Sequence, residues 1–277
     1  DINGDGFNDL VIGSNKNGSF VVFGKASGFD AVLDLSGLDG NNGFFLDGAA
    51  TDDTIGRSVS NAGDINGDGF DDVIVSALDS AYPPVGSSYV VFGKSDGFGA
   101  TLDLSSLDGS NGFHLDGAAA YGTYSILVSS AGDVNNDGFD DLFIGARSFP
   151  GVYGKDPDSY LFINDGKGHF NDIAKTKNAD IAHIGMVTGA VWVDITRDKQ
   201  KELIIVGEWM APRIFSFTGD DFEEIKTNIS SKFGWWQTVA AADVNGDGRQ
   251  DLILGNMGKN FYLRPDSANP VKLWMND

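Results

Sequence analysis

The sequence predicts an all-β fold, and within that class a β-propeller of five blades with about four antiparallel strands each. Three observations carry this. A nine-residue Asp/Asn/Gly loop recurs five times along the 277 residues. Short apolar runs rich in branched residues flank every copy, and no stretch carries the 3.6-residue stripe of an amphipathic helix. The copies are spaced evenly enough to be one sheet per repeat, and a single sheet must stack on its neighbours to bury both faces.

The loops read "DINGDGFND" at 1–9, "DINGDGFDD" at 64–72, "DVNNDGFDD" at 133–141 and "DVNGDGRQD" at 243–251, with a degenerate relative, "DITRDKQKE", at 194–202. Their starts are separated by 63, 69, 61 and 49 residues. A strand of small residues precedes the loop ("RSVSNAGD", "SILVSSAGD", "TGAVWVD", "TVAAAD"), as crowding around a propeller's central channel requires. A branched strand follows it ("DLVIG", "DVIVSA", "DLFIGA", "ELIIVG", "DLILG"). Aromatic strands such as "SFVVFGK", "SYVVFGK", "SYLFIND" and "RIFSFTG" come next, then outer ones such as "GFFLDG", "GFHLDG" and "DFEEI". The whole chain, 1–277, is expected to form one domain.

Forty acidic residues face 19 Lys and Arg, a formal charge of −21. Phosphate recognition needs a basic face, so nucleic acid is excluded as a partner. The acids are mostly aspartates in Gly/Asn-rich turns, the setting of oxygen ligands for a hard cation. Absence of cysteine excludes disulfides, thiolate zinc sites and cysteine nucleophiles. No apolar run is long enough to span a membrane as a helix, and no targeting signal is read in the chain.

In D-x-N-x-D-G-x-x-D, positions 1, 3, 5 and 9 present side-chain oxygens, position 7 a backbone carbonyl, and Gly at position 6 permits the sharp turn. The expected ligands are Asp1, Asn3, Asp5, Phe7 and Asp9 in the first loop, then Asp64, Asn66, Asp68, Phe70 and Asp72. Asp133, Asn135, Asp137, Phe139 and Asp141 follow, and then Asp243, Asn245, Asp247, Arg249 and Asp251. An all-oxygen, flexible cage suits Ca2+ better than the strict octahedron of Mg2+, giving about four calcium sites. The 194–202 loop keeps Asp194, Asp198 and Glu202 but has Thr196 for Asn and Lys199 for Gly, so binding there is expected to be weak or absent. An EF-hand is rejected, because position 12 is Ile12, Val75, Ile144 or Leu254, inside a strand, where an EF-hand needs a bidentate Glu. The competing reading is a set of metal-free Asp/Asn/Gly turns, which four intact copies in phase disfavour.

These residues resemble a known family. "AGDINGDGFDDVIVSA" with "SSYVVFGK" resembles the FG-GAP repeat of integrin alpha-subunit propellers and their bacterial relatives, over roughly 1–145. The second half, 146–277, is similar to VCBS-type repeats of bacterial surface proteins, through "SYLFINDGKGHFNDI", "LIIVGEWM" and "GWWQTVAAADVNGDGRQDLILGNMG". The resemblance implies a non-enzymatic, calcium-bound propeller for adhesion or display outside the cell or at its surface. The change of repeat style near 142–150 further suggests a mosaic of two propeller families, natural or engineered. A monomer is expected, with a protein or glycan ligand on one propeller face.

Trp192, Trp209, Trp235, Trp236 and Trp274 suggest a sugar-stacking platform, against the commoner reading of inter-blade packing. His114, His169 and His183 share no ligand spacing, and no nucleophile–base arrangement supports an enzyme, the least favoured alternative. The terminal "VKLWMND" is expected to pair with residues 9–13 and close the ring, with Asp277 able to replace Asp1 as a ligand.

Overall fold

A computed structural model describes residues 1–14, 18–48, 54–78, 86–116, 126–149, 152–219 and 221–258. The first unit contributes β1 (Leu10–Gly13), β2 (Gly18–Val22) and β3 (Gly43–Asp47). The second contributes β4 (Thr54–Gly63), β5 (Asp72–Leu78), β6 (Gly86–Val91), β7 (Thr101–Asp103) and β8 (Gly112–Asp116). The third has β9 (Ile126–Gly132), β10 (Asp141–Ala146), β11 (Tyr160–Asn164) and β12 (Phe170–Asp172). Two one-turn helices (Ala174–Lys177 and Ala179–Ala182) lead to β13 (Met186–Val193), β14 (Glu202–Met210), β15 (Arg213–Phe217) and β16 (Phe222–Glu224). β17 (Gly234–Ala242) and β18 (Asp251–Asn256) form the described part of the fifth unit.

The fold is all-β, and its sheets are mostly antiparallel. Four sheets hold the five units, with orders β1-β2-β3-β7, β4-β5-β6-β8 and β9-β10-β11-β12, and a six-stranded sheet in which β14 pairs with β13 along its length and touches β17 at its far end. One pairing departs from the antiparallel expectation. β7, from the outer segment of the second unit, adds in parallel to β3 of the first, at Phe45–Thr101, Leu46–Leu102 and Asp47–Asp103. It ties one blade's rim to the next.

The core lies between sheets, as a propeller-type stack requires. On β5, Val73, Val75 and Ala77 pack with Val21, Phe44 and Leu46 of the first unit. The alternate Ile74 packs instead with Leu142 and Ile144 of the third. On β10, Phe143 faces the other way, toward Leu203, Ile205 and Phe215 of the fourth. The middle strands are thus apolar on both faces, which is why "DVIVSA" and "DLFIGA" read as continuous apolar runs.

The first strands of successive units lie side by side, β4 by β9, β9 by β13 and β13 by β17. Small polar residues make this approach possible. The Val128 amide donates to Ser58 Oγ at 3.1 Å, and Thr188 Oγ1 donates to the Trp236 carbonyl at 2.8 Å. A Cβ on Gly13 would stand 2.1 Å from the Gly56 carbonyl oxygen. Segment 271–277, Trp274 and the expected ring closure lie outside the described residues.

Candidate functional site: the aspartate loops

All five loops lead into the branched apolar strand of a unit, and the four intact ones close in the same way. The Asp1 carboxylate accepts from the amides of Asp5 (3.0 Å) and Gly6 (2.8 Å). Asn3 Oδ1 accepts from the Asp5 amide, and Asp5 Oδ1 from that of Phe7. The pattern repeats with Asp64, Asn66 and Asp68, with Asp133, Asn135 and Asp137, and with Asp243, Asn245 and Asp247. Asp1 is therefore placed like its equivalents. Gly at position 6 is left-handed in each intact loop, with φ between 78° and 95° (Gly6, Gly69, Gly138, Gly248).

Position 9 has a second task. Both oxygens of Asp72 accept backbone N–H groups, one from Ile65 and one from Gly93, each at 2.8 Å. Asp9 does the same with Ile2 and Gly24, and Asp141 with Val134 and Asn164. This carboxylate pins the start of the loop to the following hairpin. Burial pushes the carboxyls of Asp72 and Asp141 up to about 7, against the opposing effect of those amides. In the fifth loop, by contrast, the amides of Gly248, Gly246 and Asp247 hold the exposed Asp243 below the usual range.

The degenerate loop keeps the frame without the glycines. Arg197 (φ 71°) and Lys199 (φ 74°) adopt the left-handed conformation at positions 4 and 6. Asp194 accepts from the amides of Arg197 and Lys199, while Glu202 accepts from the amides of Ile195 and Thr196 and the Thr196 hydroxyl.

Successive loops also lean on each other, which spacing alone did not reveal. The Phe70 ring covers Gly4, and the Phe139 ring covers Gly67. Asp71 Oδ2 accepts from the Asp1 nitrogen at 2.6 Å, and Asp140 Oδ2 from the Asp64 amide at 2.8 Å. Position 7 of one loop thus roofs position 4 of the loop before it, and position 8 caps its first nitrogen. Both partners of the roof change together further on, where position 4 is Asn136 and position 7 of the next loop is Gln200. Position 8 of that loop is Lys201, whose Nζ lies against Gly132 and whose charge opposes the burial that raises Asp140.

The loops supply oxygen donors only, from carboxylates, a side-chain amide and a backbone carbonyl, a set whose chemistry fits Ca2+. Among the described residues, no three acidic or histidine side chains converge closely enough to hold an ion as placed.

At the other end of the central strands is a cluster that sequence reasoning did not assemble. Glu208, 2% exposed, accepts from Arg147 Nε at 2.8 Å and Arg147 Nη2 at 2.7 Å, and from the Tyr153 hydroxyl at 2.6 Å. Gln237 Nε2 donates to it at 3.4 Å. Trp209 Nε1 donates to the Tyr153 hydroxyl at 2.8 Å, and the Trp209 ring lies 5.3 Å from that of Trp235. Against the cost of burial, donors from Tyr153, Trp235 and Arg147 keep the Glu208 carboxyl below its usual range. Trp192 instead packs into the core beside Phe222. His169 and His183 pair with Asp165 and Asp158 at the surface.

Family comparison agrees with the loop geometry. Residues 55–91 match the FG-GAP repeat, and residues 133–205 and 194–254 match the FG-GAP-like repeat. These segments match FG-GAP-type repeats, and the chain is similar to integrin alpha subunits. It is 26% identical to integrin alpha-5 of Xenopus laevis over 266 residues, 94% of this chain and 19% of that protein. It is 30% identical to integrin alpha-6 of Gallus gallus over 150 residues, 53% of this chain and 13% of that protein. The chain spans less than a fifth of the length of these relatives. The major allergen of Malassezia sympodialis overlaps it with a TM-score of 0.43 at 11% identity, over 90% of this chain and 68% of that one.

Proposed function

We propose that this chain is a calcium-stabilised, integrin alpha-like propeller that acts outside the cell as a non-enzymatic interaction module. The observation that carries the reading is the identical closure of four intact Asp-x-Asn-x-Asp-Gly loops at one topological position. FG-GAP-type repeats and the integrin alpha likeness support it. The residues that would hold calcium are those at positions 1, 3, 5 and 9, with the carbonyl of position 7. In the first loop these are Asp1, Asn3, Asp5, Asp9 and Phe7. The ion would supply positive charge where carboxylates crowd, offsetting their mutual repulsion and the burial of position 9. In this reading the change of repeat style near 142–150 joins two kinds of propeller repeat, and the C-terminal segment closes a five-bladed ring.

With affinities of ~10⁻⁴ to 10⁻³ M, millimolar calcium contributes about 1 kcal/mol per site, and several sites add. Thermal melting with calcium and with chelator, alongside metal analysis of the purified protein, tests the proposal. A clear drop in Tm on chelation is expected. An unchanged Tm together with metal-free protein would sink it.

A further inference from the structure

Trp209 has a left-handed backbone (φ 63°), a conformation disfavoured for a bulky residue. It sits at the register shift where β14 leaves β13 and meets β17, between Glu208 and Met210. A residue needed only to turn the chain there would be Gly or Asn, which take this conformation at little cost. Instead a tryptophan is held out of the ladder, partly exposed, with its indole fixed at one edge by Tyr153 and its ring set against Trp235. Tyr153 itself is 48% exposed.

The polar groups at this rim are electrically balanced. Arg147 is spent on Glu208, and Glu208 is saturated by Arg147, Tyr153 and Gln237. A charged ligand would find no unpaired counter-charge among them. Rigid aromatic faces, with amide, phenol and guanidinium groups in reach of their edges, suit a neutral molecule with polarised C–H faces and many hydroxyls. Glu208 lies six residues along β14 from Glu202, about 20 Å from the aspartate loops.

We propose that Trp209, Tyr153 and Trp235 form a binding shelf for a neutral oligosaccharide, with a sugar ring stacked on Trp209 and its hydroxyls bonded by Arg147 Nη1 and Gln237 Oε1, the atoms of those side chains not engaged with Glu208 or the Trp236 carbonyl. This names a ligand class for the interaction module proposed above and rests on that reading. Its failure is separable, because chelator melting reports on the loops alone.

The test is a tryptophan-fluorescence titration of the full chain, in calcium, with cellohexaose, maltohexaose, laminarihexaose and tetra-N-acetylchitotetraose, repeated on Trp209→Gly and Tyr153→Phe. The expected result is a saturable response to at least one sugar. It should weaken at least about tenfold in Trp209→Gly while Tm is unchanged or higher, since glycine relieves the backbone. Tyr153→Phe should weaken binding less. No saturable response to any of the four sugars overturns the proposal. So does full binding by Trp209→Gly, or a large loss of Tm in that variant, which would make Trp209 a packing residue. Binding of a polypeptide with no response to any sugar would make the shelf a protein contact and overturn the assignment as well.

Discussion

The ring of Phe139 lies so close over Gly67 of the preceding loop that a Cβ on that glycine would stand 2.8 Å from Phe139 Cε1. Gly67 is also left-handed (φ 74°), so two separate constraints exclude a side chain. Gly69, two residues on, has φ 92° and open space around it. Gly67→Ala should therefore cost about 2–3 kcal/mol, and Gly69→Ala only about 1 kcal/mol. Urea denaturation of the two variants checks the ranking, and equal losses would refute the roof as a contributor to stability.

The same relationship predicts a contrast among the phenylalanines. Phe70 covers Gly4, whereas Phe7 is 41% exposed. Phe70→Ala should destabilise by about 2 kcal/mol and Phe7→Ala by well under 1 kcal/mol. Matching unfolding midpoints for the two variants would contradict this.

Lys201 stands where the first joints of this kind have an aspartate, beside Gly132 and close enough to act on Asp140. Lys201→Ala should cost about 0.5 kcal/mol in dilute buffer, and the difference from the parent should vanish in 1 M salt as the charges are screened. A loss that persists in salt would assign Lys201 a packing role instead.

The buried position-9 carboxyls give the stability a pH signature. Asp72 and Asp141 have folded values near 7 against 3.8 for the free side chain, so between these limits the folded state holds more protons than the unfolded one. Their contribution therefore weakens as pH rises through that window. In chelator, Tm should fall from about pH 5.5 to about pH 7.5, above the range where ordinary carboxyls titrate. With calcium the slope should flatten, because the ion offsets the charge that burial opposes. Melting curves at several pH values, with and without chelator, decide the matter, and a Tm rising with pH in chelator would reverse the assignment.

Arg147 neutralises a carboxylate that is almost wholly buried. Arg147→Met strands that charge and should cost about 3 kcal/mol, while adding Glu208→Gln to it should recover a substantial part. A double-mutant cycle on chemical unfolding measures this. Strictly additive losses would show that the pair is not coupled.

Much of this architecture was legible in the residues. Loop position, the small first strand and the two-sided apolar second strand follow from local chemistry repeated in phase, and "DVIVSA" between Asp72 and Gly86 needs no distant partner to be read. The role of position 8 was not legible, because Asp71 and Asp140 act across some seventy residues on another loop, and nothing near them in sequence marks that target. The parallel strand β7 was missed for a similar reason, since its partner β3 belongs to the preceding unit. Glu208 was hidden more deeply. Its partners at 147, 153 and 237 share no spacing, and only the fold brings the end of β10, the start of β17 and the end of β14 together.

The joint between loops also has a direction. The first two loops are each roofed by the one that follows, Phe70 over Gly4 and Phe139 over Gly67, and the position-2 residues Ile2, Ile65 and Val134 are buried in the core at 1%, 4% and 8% exposed. In the fifth loop, which no described unit follows, Val244 is 65% exposed and Gly246 has open space around it. Solvent exchange should therefore be graded along the chain, fastest at the amides of 243–251 and slowest at those of 64–72. Among the roofed loops, opening of 133–141 would withdraw Phe139 and uncover 64–72, and opening of 64–72 would withdraw Phe70 and uncover 1–9.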